Sequence, residues 1–138
     1  MAHIAILGLG NWGTAVARMW LLEGHKVKGW TIEQEVYESV VMDGVNKKYL
    51  PEHSVEGLEA TMRIDEALDG VEIVVLAIPS SVILDVVDDI IPHLRPGHVL
   101  IDLAKGLAPG KRLISQAIHE KLKAAQKTNP LAVVTGPT

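Results

Sequence analysis

Four short apolar runs, rich in β-branched residues, recur along the chain. They are HIAIL (3–7), VEIVVLAI (71–78), HVLIDLA (98–104) and LAVVT (131–135), and a weaker run, HKVKGW, covers 25–30. Apolar runs of this length predict strands that are buried on both faces, as in a parallel sheet. The segment 44–62 is more polar and irregular, and we expect only a short strand there, near LEATM (58–62).

Helical patterns lie between the predicted strands. Gly24 is placed to end the first helix, Ser80 to cap a later one, and RPG (95–97) to form a turn. Alternation of strand and helix predicts a doubly wound α/β fold of the Rossmann type, with a parallel sheet between two layers of helices. Apolar residues at helical spacing form three sets: Ala15, Met19 and Leu22; Ile83, Val86, Val87, Ile90 and Leu94; and Ile114, Ala117, Ile118 and Leu122.

The composition indicates a globular protein and argues against several kinds of function. With 138 residues, of which 48% are hydrophobic and 22% charged, we expect a single globular domain without a membrane span or a signal peptide, in the cytoplasm. The absence of cysteine excludes thiolate chemistry, and the net charge of -4 argues against nucleic-acid binding. The six histidines lack the spacing of metal ligands, so we expect no metal site.

The loop GLGNWG (8–13) carries glycines at its first, third and sixth positions, between a predicted strand and a predicted helix. In a dinucleotide site the first glycine forms the turn, the second lets the pyrophosphate approach the backbone, and the third lets the helix pack closely. The amino end of the helix then offers free N–H groups to the phosphates. A tight turn without a ligand is the alternative.

Other candidates follow the predicted strands, where ligands of such sheets bind. Glu33, 20 residues after Gly13, is either the acidic residue that contacts the adenosine ribose or an ordinary glutamate at a helix start. Pro79 either borders the ligand or starts a helix. Lys105 either contacts a phosphate or a substrate oxygen or is solvated, and TGPT (135–138) is either a turn or another helix start near the site.

Together these motifs resemble the amino-terminal domain of NAD(P)-dependent glycerol-3-phosphate dehydrogenase. The GxGxWGT loop of that family matches GLGNWGT, including Trp12 and Thr14, and its YLP motif matches residues 49–51. Its [AV]PS motif matches IPS (78–80), its KG pair matches Lys105 and Gly106, and its SGP[ST] motif matches TGPT. The resemblance covers the whole chain.

The resemblance implies hydride exchange between a nicotinamide cofactor, NAD or NADP, and glycerol 3-phosphate or dihydroxyacetone phosphate. The family often carries a basic residue where this chain has Ile32, which, with Glu33 beside it, predicts a preference for NAD, although Lys26 or Lys28 could reach a 2′-phosphate. The residues expected to bind the cofactor are Gly8, Gly10, Asn11, Trp12, Gly13, Glu33, Pro79 and Lys105, and those expected to border the substrate are Lys105, Gly136 and Thr138.

The family continues beyond this point into a helical carboxy-terminal domain that supplies the general base. We therefore expect residues 1–138 to form a dinucleotide-binding domain that has no catalytic base and is inactive by itself. A homodimer is one possible state of a longer protein. Two alternatives are an NAD(H)-sensing module and the nucleotide domain of another dehydrogenase, of the prephenate or 6-phosphogluconate type.

Overall fold

Six of the described strands form one parallel sheet. The computed structural model describes residues 1–103, 107–108 and 112–134. The sheet order is β10-β7-β6-β1-β2-β5, so the chain builds outward from β1 in one direction and then, from β6, in the other. These strands are β1 (His3–Leu7), β2 (Lys26–Trp30), β5 (Glu59–Thr61), β6 (Ile73–Leu76), β7 (Val99–Asp102) and β10 (Leu131–Val133).

Two antiparallel pairs lie outside this sheet, and the first of them corrects the expectation that residues 44–62 hold only a short strand near 58–62. They are β3 (Val45–Asn46) with β4 (Leu50–Ser54), and β8 (Leu107–Ala108) with β9 (Arg112–Leu113). The helices are α1 (Asn11–Leu22), α2 (Gln34–Asp43), α3 (Ile64–Leu68), α4 (Ile83–Ile90) and α5 (Ile114–Ala124), and a 3-10 helix (Ile91–His93) follows α4. None of the helices in the described ranges combines the length and the apolar character that a membrane crossing requires.

Both faces of the sheet are buried, which explains the unbroken apolar runs of the sequence. Ile4 and Ile6 of β1 pack on one side, in a cluster with residues of α1 and α2. Ala5 and Leu7 pack on the other side, in a cluster with residues of α3, α4 and α5. The predicted α/β fold of the Rossmann type is confirmed, and each predicted strand is present within its predicted range.

The helices agree with the sequence patterns in two of three cases. The apolar sets predicted around α4 and in α5 are buried throughout. In α1 the set Ala15, Met19 and Leu22 is exposed, with Met19 at 47% and Leu22 at 71% exposure. This helix instead buries Gly13, Thr14 and Ala17. Small residues face the sheet because α1 begins in close contact with the preceding loop, and larger side chains do not fit there.

Two predicted helix boundaries had different outcomes. Gly24 follows the end of α1 with a φ of +93°, a conformation that favours glycine, and its predicted role is confirmed. The prediction that Ser80 caps a helix is wrong. The carbonyl of Pro79 accepts hydrogen bonds from the amides of Val82 and Ile83, both at 3.1 Å, so a turn precedes α4 and Val82 occupies the N-cap position.

Candidate nucleotide-binding site

Two of the three loop glycines are required by the fold itself. Gly8 ends β1 with a φ of +111°, and a Cβ atom there would lie 2.3 Å from the carbonyl oxygen of Ala77. A Cβ atom at Gly13 would lie 1.9 Å from the carbonyl oxygen of Gly8. A larger residue at Gly8 would therefore clash with the backbone that follows β6, and one at Gly13 would push the start of α1 away from the end of β1.

Gly10, the middle glycine of the motif, is different. Its φ of -81° and ψ of -163° are open to any residue, and a Cβ atom there would have no neighbour among the described residues within 4 Å. Neither backbone conformation nor internal packing therefore requires glycine at this position. The close approach of a ligand to the backbone would explain it.

A cavity of about 690 Å³ lies beside Gly10. It opens at the carboxyl ends of β1, β2 and β6, where the strand order reverses, and this is the place where ligands of open α/β sheets bind. The first amides of α1 face no intrahelical acceptor, because Gly10 is the N-cap residue and the first backbone bond of the helix joins Thr14 N to Gly10 O at 3.0 Å. A helix start of this kind favours phosphate oxygens.

Large apolar side chains form part of the cavity wall. Trp12 and Ile32 line the cavity, yet 62% of Trp12 and 75% of Ile32 are exposed. Val82, the N-cap residue of α4, and Val86 of α4 line the same cavity. An apolar lining suits a flat ring system, and exposed groups of this size next to a cavity are typical of binding sites.

A buried amide fixes the β3–β4 hairpin against the glycine loop. Asn46 is fully buried, and its Nδ2 donates hydrogen bonds to the carbonyl of Leu9 at 2.9 Å and to Thr14 Oγ1 at 2.8 Å. Its Oδ1 accepts a hydrogen bond from the amide of Tyr49 at 3.2 Å. The sequence analysis missed Asn46. Its position three residues before the YLP motif was the signal that could have identified it.

Glu33 lies at the edge of the cavity and is also the N-cap residue of α2, so the structure combines features of both interpretations of this residue. Tyr49 Oη donates a hydrogen bond to Glu33 Oε2 at 2.8 Å, and the ammonium of Lys48 forms an ion pair with the same carboxylate. The amide of Glu33 donates to Thr31 Oγ1 at 3.0 Å. These contacts hold the carboxylate in one position beside the cavity.

The same contacts shift the pKa values of the three side chains. Hydrogen bonds from Lys48 and, secondarily, from Tyr49 lower the pKa of Glu33 below its ordinary value. The hydrogen bond to Glu33 is the main cause that raises the pKa of Lys48, and it also raises the pKa of Tyr49. At neutral pH the cluster therefore consists of a carboxylate, an ammonium and a neutral phenol.

The structure brings most of the predicted site residues to this one cavity. Asp85 and Asp89, one turn apart on α4, also line it and were missed by the sequence analysis, as was the lining role of Tyr49. Three predicted residues, Lys105, Gly136 and Thr138, lie outside the described residues. The predicted residues that line the cavity are Gly8, Gly10, Asn11, Trp12, Gly13, Glu33 and Pro79.

Histidine and carboxylate groups elsewhere in the described ranges do not gather into a metal site, since no group of three or more His, Asp or Glu side chains there could hold an ion. His98, at the other end of the sheet, is 3% exposed. Its Nδ1 accepts a hydrogen bond from the amide of Arg95 at 2.9 Å, and its Nε2 lies 3.0 Å from the carbonyl of Leu68. For His98, the prediction of a packed histidine is confirmed.

Residues 3–138 match the protein family described as NAD-dependent glycerol-3-phosphate dehydrogenase N-terminus. The chain is 35% identical over 140 residues to a glycerol-3-phosphate dehydrogenase (NAD(P)+) of Exiguobacterium sp., a match that covers 100% of this chain and 41% of that protein. It is 33% identical over 136 residues to the protein of the same name from Coxiella burnetii, with 98% and 40% covered. The chain thus spans 40 to 41% of the length of these curated relatives.

Solved structures agree with this assignment. The chain resembles the crystal structure of glycerol-3-phosphate dehydrogenase from Coxiella burnetii with a TM-score of 0.86 and 33% identity, over 99% of this chain and 41% of that one. The enzyme from Saccharomyces cerevisiae has a TM-score of 0.83 at 23% identity, over 99% and 42%, a likeness that concerns the fold alone.

Proposed function

Because the chain belongs to the family of the NAD-dependent glycerol-3-phosphate dehydrogenase N-terminus, we propose that residues 1–138 form the cofactor-binding domain of such a dehydrogenase. The observation that carries this proposal is Gly10, where glycine has no role in the fold but borders the cavity. A pyrophosphate there would lie against the backbone of Gly10 and the first amides of α1. The first of these amides belong to Asn11 and Trp12.

The remaining contacts of the cofactor follow from the shape of the cavity. Glu33 would accept hydrogen bonds from the hydroxyls of the adenosine ribose, because its carboxylate is ionised and held at the end of β2. Ile32 and Val82 would enclose the adenine between apolar surfaces. Pro79 follows β6, on the side of the cavity toward which the nicotinamide half would extend.

We further propose that the longer protein oxidises glycerol 3-phosphate to dihydroxyacetone phosphate or catalyses the reverse reaction. When bound, the nicotinamide supplies the group that accepts or donates the hydride. The role of this chain is to bind and orient that cofactor, with Lys105, Gly136 and Thr138 as proposed contacts of the substrate. Since hydride transfer also needs a base and a site that holds the phosphate, we propose that residues 1–138 alone bind the cofactor without turnover.

We propose a preference for NAD over NADP. Ile32 offers no charge to a 2′-phosphate, and the carboxylate of Glu33 would repel one. A cytoplasmic location and a homodimer of the longer protein stay predictions of the sequence; the absence of cysteine is consistent with the former.

Calorimetric titration with NAD tests the binding proposal on the wild-type chain and on Gly10→Val. The valine side chain would enter the space that the pyrophosphate needs, and we expect a loss of affinity of at least about tenfold, equivalent to about 1.4 kcal/mol. The thermal midpoint should change little, because Gly10 has a backbone conformation that valine adopts readily.

Gly97→Val is the matched control. Gly97 also has open space around its Cβ position, but it lies in the turn before β7, at the opposite end of the sheet. This variant should bind NAD as the wild type does. A folded Gly10→Val protein with unchanged NAD affinity, or a wild-type chain that binds no nicotinamide dinucleotide, would contradict the proposal.

A further inference from the structure

The loop between β3 and β4 places a cation beside the ribose end of the cavity. Lys48 contacts Glu33 and also pairs with Glu35, with 3.0 Å between Lys48 Nζ and Glu35 Oε1. The buried side chain of Asn46 holds this loop against the glycine loop and so fixes the place of the charge. Lys48 also lies over the ring of Tyr49, 5.3 Å from its centre.

The two lysines that the sequence offered for a 2′-phosphate are placed elsewhere. Lys26 is the first residue of β2, whereas the cavity lies at the carboxyl end of that strand. The ammonium of Lys28 donates hydrogen bonds to the carbonyls of Glu66 and Asp69, at 3.1 and 2.7 Å. Both lysines are therefore unsuited to contact a phosphate beside Glu33.

The net charge at the start of α2 depends on Lys48. Glu33 and Glu35 bring two negative charges to the start of α2, and Lys48 offsets one of them. Lys47, the neighbouring residue, is engaged differently, since its Nζ lies 2.8 Å from Asp43 Oδ2 at the far end of α2. Without Lys48, a 2′-phosphate would meet two uncompensated carboxylates, whereas a ribose hydroxyl, which is neutral, would be affected much less.

We propose that Lys48 determines how strongly this site discriminates between NAD and NADP, by neutralising Glu33 and so lowering the electrostatic cost of a 2′-phosphate. This inference rests on the proposed function, because it assigns Glu33 to the adenosine ribose. Lys48 acts through Glu33 and is a positioning and selectivity residue. Its removal should therefore change the ratio of the two affinities.

Titration of NADH and NADPH into the wild-type chain and into Lys48→Met tests this inference. We expect NADPH affinity to fall about tenfold relative to NADH affinity, and the difference to shrink in high salt because the cluster is partly exposed. Binding of NADH by the same sample shows that the site is folded. Lys47→Met, which removes the same charge one residue away, should leave the ratio unchanged within about twofold, as expected of a surface substitution.

A double variant separates neutralisation from other effects. If Lys48 acts by offsetting the charge of Glu33, Glu33→Gln in the Lys48→Met background should restore most of the lost NADPH affinity relative to NADH. A double variant as weak toward NADPH as Lys48→Met overturns the inference, as does an unchanged ratio in Lys48→Met. Wild-type protein that binds NADH but has no measurable affinity for NADPH also overturns it. Wild-type protein that binds neither nucleotide contradicts the proposed function itself.

Discussion

At the amino end of the central sheet, buried polar side chains bond to backbone groups of this chain, whereas at the carboxyl end polar groups border an open cavity. His98 bonds to the amide of Arg95 and to the carbonyl of Leu68. Asn129, 7% exposed, donates to the carbonyls of Arg95 and His98 at 2.7 and 2.9 Å. These groups satisfy one another and connect the loops that lead into β7 and β10.

The carboxyl end also contains a buried amide, that of Asn46, but its surroundings differ. The loop that it anchors carries Tyr49 to the cavity, where Trp12 and Ile32 are largely exposed. Gly10, which the fold does not require, faces the same cavity. A buried polar residue is therefore evidence of function only when it positions groups that the fold leaves accessible.

The largest effect should come from the amino end. His98→Ala removes two buried hydrogen bonds and leaves a cavity, and we expect it to lower the free energy of unfolding by about 3 kcal/mol. The NAD affinity of the folded fraction should be unchanged. Urea unfolding and NAD titration measure the two quantities. His93→Ala, at an exposed histidine nearby, is the control and should change stability by less than about 0.5 kcal/mol.

If His98→Ala lowered NAD affinity as much as Gly10→Val does, the expected separation between the two ends of the sheet would be wrong. It would mean that the two ends of the sheet are coupled, and that His98 supports the cavity as well as the loops at its own end.

An intermediate effect is expected for Asn46→Ala. This change leaves the carbonyl of Leu9 and the amide of Tyr49 without their partner, and we expect a loss of about 2 kcal/mol in unfolding free energy. Unlike His98→Ala, it should also weaken NAD binding in the folded protein, because the hairpin that carries Tyr49 loses its anchor. Thr14→Val removes only one of the hydrogen bonds of Asn46 and should have a smaller effect on both quantities. Unchanged NAD affinity in folded Asn46→Ala would show that the tether is structural only.

The smallest effect concerns the pH dependence of the Glu33–Lys48 pair. The pKa of Glu33 is lowered on folding, so its contribution to stability is present above its ordinary pKa of 4.5 and is lost as the pH falls through the lower, folded value. The pKa of Lys48 is raised, so its contribution is present below its ordinary pKa of 10.5 and is lost as the pH rises beyond it.

The difference in urea midpoint between the wild type and Lys48→Met should therefore be constant between these two values and decrease on either side. It should be small, because partly exposed ion pairs contribute little to stability. A difference that increases below pH 4.5 would contradict the assigned pairing.

Sequence patterns failed where neighbouring segments decide the outcome. The spacing of Ala15, Met19 and Leu22 predicted a helix correctly but not the face that it buries. The helix begins so close to the preceding loop that small residues, Gly13, Thr14 and Ala17, are buried instead. Ser80 has the residue type of a helix cap, yet the turn at Pro79 shifts the helix start to Ile83. Local propensity describes which residues suit a position and cannot specify which neighbours occupy it.

Residue patterns were sufficient to predict the α/β fold, the six strands of the parallel sheet, the helices α1, α4 and α5, the glycine loop and the family, since each depends on periodicity and spacing within one segment or on motifs in a fixed order. They did not predict α2, α3 or the β3–β4 hairpin. The packing of the folded chain leaves the Cβ position of Gly10 open and encloses those of Gly8 and Gly13, a difference that the motif does not show. The same packing places Lys48, rather than Lys28, beside Glu33. Contacts of this kind join distant segments and depend on how the hairpin and the helices pack on the sheet, and no local pattern encodes that packing.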